Sequence, residues 1–246
     1  MFVMFCLLTG LYLWSISNAR RGAGLQTRRV AGLDALDEAL GRAAEMGRPV
    51  HYTMGLQEFE AQTFASMEIL RYATTQCAKL DVRIITTNYH PAVHPVIEEV
   101  VRGAYIEAGR PDAYREDDVR YLSNQQLAYT SGVIAILERE KVAVNLLFGR
   151  FYAESLIFAE SGYAVGAMQI AGTANTHQLP FLVAACDYTL IGEEMYAAGA
   201  YLSQNPVLTG SLMGQELGKY IAVILIIFGT ILATANVTFL QDIFNR

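Results

Sequence analysis

The chain has 246 residues, 53% of them hydrophobic and only 17% charged, with a mean hydropathy of +0.26, more apolar than an ordinary soluble domain. Its 18 basic and 24 acidic residues leave a net charge of −6, mixed along the chain, which excludes the basic footprint of a nucleic-acid binder. Cys6, Cys77 and Cys186 are too few and too scattered for a disulfide framework or a zinc cluster. They read as reduced, mostly buried thiols, in keeping with a cytosol-facing domain.

The run MFVMFCLLTGLYLWSIS opens the chain with about 17 uncharged residues, just long enough to cross a hydrocarbon core. Tyr12 and Trp14 near its inner end suit the headgroup layer, and the missing basic n-region argues for an uncleaved anchor over a signal peptide. Residues 1–18 are therefore expected to form one transmembrane helix and 19–32 a basic linker. The second span is expected over 219–240, from the apolar run beginning at Tyr220, with a short tail at 241–246. Arg20, Arg21, Arg28, Arg29 and Lys219 flank the inner ends, whereas the outer ends offer only Arg246, so the middle domain is expected in the cytoplasm and both spans in the cell membrane. Gly229 and Ala233 form a small-xxx-small spacing, with Thr230, Thr234 and Asn236 as interhelical hydrogen-bond candidates.

Residues 33–218 read as one α/β domain. Leu33, Leu36 and Leu40 at helical spacing, with Asp34, Asp37 and Glu38 in the early turns, give a helix that Gly47 ends. A short strand follows from Val50 to Tyr52, then a helix over 64–80, a strand over 82–87 and a helix through Ile97 and Val101 that stops at Gly109. REDDV reads as a solvated loop. A helix over 125–139 precedes the best strand, VAVNLLF at 142–148, which runs through Gly149 into the helix AESLIFAES. A last strand at 167–171 leads to GTANTHQLP and a long apolar helical region reaching about Leu202. This alternation predicts an open, three-layer, mostly parallel sheet of Rossmann-like or flavodoxin-like kind, flanked by the two transmembrane helices.

In such a sheet, ligands gather beyond the carboxyl ends of the strands. That rule selects HYTMG, TTNYHPAVHP, GRFYAES and GTANTHQLP, and with them His51, Asn88, His90, His94, Arg150, Glu154, Thr173, Asn175 and His177. All four histidines fall there, though loops collect polar residues in any fold. His90 and His94 have the i, i+4 spacing of two metal ligands, but Pro91 and Pro95 favour turn histidines that bond to backbone, and no metal or cofactor is expected. Glu154 reads as a partner of the helix dipole before a general base, and Ser155 lacks the glycines of a nucleophile elbow. GRFYAES and GTANTHQ carry too few glycines for a dinucleotide or Walker loop, so no catalytic residue is assigned. In the stretch after Pro180, Asp187 and Glu194 are seven apart and are expected on one helix face. With Glu193 and the small Gly199 they mark a core helix or a subunit interface.

The segments AGLDALDEALGRAAEMGRPVHYT, GRFYAES and QIAGTANTHQLPFLVAACDYTLIGEEMYAAGAYLS resemble an uncharacterised bacterial and archaeal family, domain of unknown function 6754, over about Ala31 to Lys219. The resemblance implies a membrane-associated α/β domain and supplies no catalytic residues. Two functional expectations follow. The first is a membrane-anchored, non-catalytic subunit that self-associates or docks with other membrane subunits in the lipid bilayer. The second is a small-molecule domain or enzyme that takes a nucleotide or other anion at the strand ends.

Overall fold

The computed structural model describes residues 2–21, 31–56, 58–203 and 205–234. Residues 22–30 of the expected linker 19–32, Asn236 and the tail 241–246 lie outside the described residues, as does the side chain of Ala233. The chain divides into two units, one holding the terminal helices and the other the α/β domain.

The domain opens with α2 (Ala31–Met46), followed by β1 (Val50–Gly55), α3 (Ala61–Lys79), β2 (Ile84–Asn88) and α4 (His94–Glu107). Then come β3 (Val119–Tyr121), α5 (Gln126–Glu140), β4 (Val144–Arg150), α6 (Glu154–Ala164) and β5 (Met168–Thr173). It closes with α7 (Leu179–Ala185), β6 (Tyr188–Ile191) and α8 (Glu193–Ser203). All five strand pairings are parallel, in the order β3-β2-β1-β4-β5-β6. That is the Rossmann order, with the strand sequence reversing between β1 and β4. The two-fold side-chain alternation of each strand separates two cores. Val50, Tyr52, Leu146, Phe148 and Ile170 face a layer that includes Leu36 and Leu40 of α2, Leu70 of α3 and Ile97 of α4. Leu147 and Ala171 face Tyr129 and Val133 of α5, Phe158 of α6 and Leu182 of α7.

Two expected elements are corrected. The long helix reaching Leu202 is α7, β6 and α8 instead. The sequence Tyr188-Thr189-Leu190-Ile191 is aromatic and β-branched, and Gly192 turns the chain with φ +58, so β pairing to β5 wins over helical periodicity. Asp187 and Glu194 therefore share no helix face. Each carboxylate accepts a backbone N–H, from Gln169 at 2.7 Å and from Ile191 at 3.0 Å respectively. The second correction concerns REDDV, which forms a 3-10 turn at Glu116–Asp118 and enters edge strand β3, held by the Arg83 guanidinium on Asp118 at 2.6 Å and on Glu140 at 2.9 Å. Gly199 is taken up inside the domain, where a Cβ would stand 3.0 Å from the Ala65 backbone of α3.

The terminal unit pairs α1 (Phe2–Arg20) with α9 (Pro206–Thr234). Of the two expected spans, α9 is the one that is long and apolar enough to cross a membrane among the described residues, over Pro206–Ile231. It begins 14 residues before Tyr220 because Pro206 suits a first helical turn and VLTGSLMGQELGK holds no further proline to stop the helix. Thr230 and Thr234 donate their hydroxyls to Ile226 O and Thr230 O in their own helix rather than across to another.

Candidate functional site

The reversal of strand order places a crevice beyond the ends of β1 and β4, and this protein fills it with its own groups. Gly55 ends β1 at φ +72, and a Cβ there would come within 2.2 Å of Arg150 O, so only glycine permits this approach. The Leu56 N–H donates to that same carbonyl at 2.9 Å. Arg150 then turns its guanidinium onto the Glu60 carboxylate just ahead of α3 and lies 5.4 Å from the centre of the Tyr152 ring. Gln62, in the first turn of α3, reaches Gly149 O and, at 3.2 Å, Thr173 Oγ1. The helix N-terminus that would receive a pyrophosphate in a dinucleotide domain is preceded here by Glu58 and Glu60, whose charge repels an anion.

Arg150 and Thr173 are thus each bound by the start of α3, Arg150 by Glu60 and Thr173 by Gln62. Beside them, Glu154 is 1% exposed and accepts from Tyr152 N at 2.8 Å and from Gln126 Nε2 at 2.6 Å. Asn175 donates to Phe151 O at 3.3 Å and accepts the His177 N–H at 3.2 Å, leaving the His177 ring exposed. Ser155 Oγ lies 2.8 Å from Tyr152 O and 2.9 Å from Gln178 Oε1, with no base beside it.

Asn88, His90 and His94 gather at the end of β2. Asn88 Nδ2 donates to His94 Nδ1 at 3.0 Å and to Arg120 O at 3.3 Å, while His94 Nε2 faces Glu98 at 3.2 Å. His94 begins α4 and His90 sits in the preceding turn, 3.6 Å from Glu58, so the two imidazoles share no helix face. No cluster of three metal-ligating side chains occurs among the described residues.

His51 leaves the rim altogether. It points from the middle of β1 into the layer under α5 and α6, where it is fully buried. There it belongs to a file of polar side chains crossing four strands: Thr87 on β2, His51 on β1, Asn145 on β4 and Gln169 on β5. Register creates the file, since His51 pairs with Asn145 and Asn145 with Gln169. Hydrogen-bond directions fix its tautomer. Asn145 Nδ2 donates to Gln169 Oε1 at 3.1 Å, so Asn145 Oδ1 accepts the proton on His51 Nδ1 at 2.8 Å, and Nε2 accepts from Thr87 Oγ1 at 2.9 Å. Gln169 Nε2 donates in turn to Ala159 O at 2.7 Å. Burial pushes the His51 pKa down from 6.5 to about 4, so the ring is neutral at physiological pH. Burial also raises the thiols of Cys77 and Cys186 to about 12, which removes both as nucleophiles.

Sequence reasoning missed Glu60, Gln62 and Tyr152 as closers of the crevice, and Asn145 and Gln169 as partners of His51. The parity of VNLLF and MQIAG, with one polar residue among apolar neighbours in each, was the available signal.

The fold and its rim define a parallel α/β domain with Rossmann strand order and a self-occupied crevice. The chain belongs to the family described as Domain of unknown function (DUF6754), whose model matches residues 1–244 and so includes both terminal helices. No curated protein and no solved structure matches it.

Proposed function

We propose that this protein is a non-catalytic subunit of a membrane assembly, an α/β domain tethered to the cell membrane and held at its cytoplasmic face. The observation that carries the non-catalytic reading is the bridged crevice: the Arg150 guanidinium is spent on Glu60, the Gln62 amide on Gly149 O and Thr173, and the Leu56 N–H on Arg150 O, where a cofactor would need free donors. Tethering is supported by α9, where Tyr220, Val223, Ile224, Ile226, Ile227, Phe228 and Ile231 are exposed around the whole helix. Arg20 and Arg21 at the end of α1 support the cytoplasmic side. Association is supported by an apolar surface at the β6 edge of the sheet, where Phe181, Val183, Tyr188 and Ile191 are all exposed.

The mass of the full chain, extracted in mild detergent and corrected for bound detergent, tests the reading. An assembly clearly heavier than the single 27.1 kDa chain is expected. A monodisperse single chain with nothing bound contradicts it. The small-molecule reading retains one support, the Rossmann strand order itself. Heat released on titrating a nucleoside diphosphate into the same preparation, and lost in Thr173→Ala, would favour that reading instead.

A further inference from the structure

The two terminal helices are antiparallel and offset along their axes. A Cβ on Gly210 would stand 2.6 Å from Ile16 Cα and 3.1 Å from Ala19 Cβ, and one on Gly214 would stand 3.0 Å from the Tyr12 ring. Residues 16 and 12 of α1 are therefore level with 210 and 214 of α9, so the numbers of a level pair sum to about 226 at equal helical rise. Phe2 is then level with about residue 224, and α9 runs about 15 Å further to Thr234. The glycines make this register specific, because Gly210 and Gly214 are the positions that let the two backbones approach.

This register cannot place both helices across one hydrocarbon core. Were the core centred on α1, Gln215, Glu216 and Lys219 would lie at its middle, and the apolar turns from Ile226 to Ile231 would emerge into water. With the core boundary at Lys219, only about the first seven residues of α1 reach hydrocarbon depth, roughly 10 Å of a ~30 Å core. Tyr12 and Trp14 then fall level with about residues 214 and 212, toward the headgroup side of that boundary. The lower part of α1 remains covered on one side, where Ser15, Ala19 and Met213 are buried in the helix pair.

We propose that α9 alone crosses the membrane, while α1 enters only the leaflet next to the α/β domain and packs along the near half of α9. The occupant of the exposed apolar surface is lipid, because that surface encircles α9 from Tyr220 to Ile231 and continues onto Phe5 of α1, level with about residue 221. This inference rests on the anchored reading above and replaces a two-span anchor with a single span braced by a partial one.

Two measurements on the full chain in vesicles test it. In a Cys6→Ala background, the pair Tyr12→Cys with Gly214→Cys should oxidise to an intrachain disulfide. The pair Tyr12→Cys with Ile226→Cys, which matches two level spans, should give at least tenfold less. Dominant crosslinking of the second pair, equal crosslinking of both, or none in either overturns the register. The second measurement keeps single variants in the same background and applies a membrane-impermeant maleimide from the face opposite the domain. Asp242→Cys should be labelled and Phe2→Cys should not; equal labelling of the two overturns the proposal while leaving the anchor intact. Recovery of the chain in the soluble fraction would overturn the anchored reading itself, so the two failures are distinguishable.

Discussion

At the residue scale the most informative group is His51, a histidine that a rim-based reading counts as a ligand contact and that folding turns into a sheet interior residue. Its neutral ring is held between Asn145 and Thr87, and a proton added to Nε2 would have to displace the Thr87 hydroxyl donor in a fully buried place. The folded pKa of about 4 lies below the 6.5 of an unfolded chain, so unfolded molecules bind the proton first as pH falls. The stability this group contributes is therefore complete above pH 6.5 and is lost between 6.5 and about 4. Chemical unfolding of the domain, followed by circular dichroism, should show a loss of about 2 kcal/mol between pH 7 and pH 5 that is absent from His51→Gln. Parallel slopes for the two proteins over that interval would contradict the buried, neutral assignment. The carboxylate of Glu140, held below its usual range by Arg83 and Arg120 despite the cost of burial, loses its contribution as pH falls below 4.5, so it leaves the interval from pH 7 to pH 5 to the histidine.

At the element scale, helix α6 sits close over the polar file because Gly162 faces it. A Cβ there would stand 2.3 Å from Gln169 Oε1 and 2.8 Å from Asn145 Nδ2. Gly162→Ala should lower stability by about 2 kcal/mol or more despite the better helix propensity of alanine, as a thermal melt will show. An unchanged or raised melting temperature would mean that α6 shifts freely. Most elements are legible in the sequence: α2, α3, α4, α5, β1, β2, β4 and β5 are anticipated to within a few residues, the helices from the spacing of their apolar residues and the strands from short apolar or β-branched runs. The short edge strands β3 and β6 are not. Three or four residues carry too little alternation, and their strand character comes from pairing with β2 and β5, a long-range contact invisible in local sequence. Mistaking β6 for helix put Asp187 and Glu194 on one face. The rim was legible as loops, but its closure by Glu60 and Gln62 was not, since that depends on which helix follows β1 and how closely Gly55 meets Arg150.

At the scale of the whole molecule, the chain joins an α/β domain whose apolar residues are largely buried to a helix pair whose apolar residues are largely exposed. Composition anticipated this division, because the hydrophobic excess lies at the two ends. The offset between α1 and α9 did not follow from composition, since Gly210 and Gly214 precede the apolar run that begins at Tyr220 and only the packed pair reveals their use. Burying the exposed side chains of α9 in lipid contributes on the order of 1.5–3 kcal/mol for each large aliphatic or aromatic residue, far more than a surface electrostatic contact supplies. Washing membranes that carry the full chain with alkaline carbonate and then high salt separates these two modes of attachment directly. The protein should remain with the bilayer through both washes and leave it only in detergent; release of the intact chain into either wash would contradict a membrane-embedded α9.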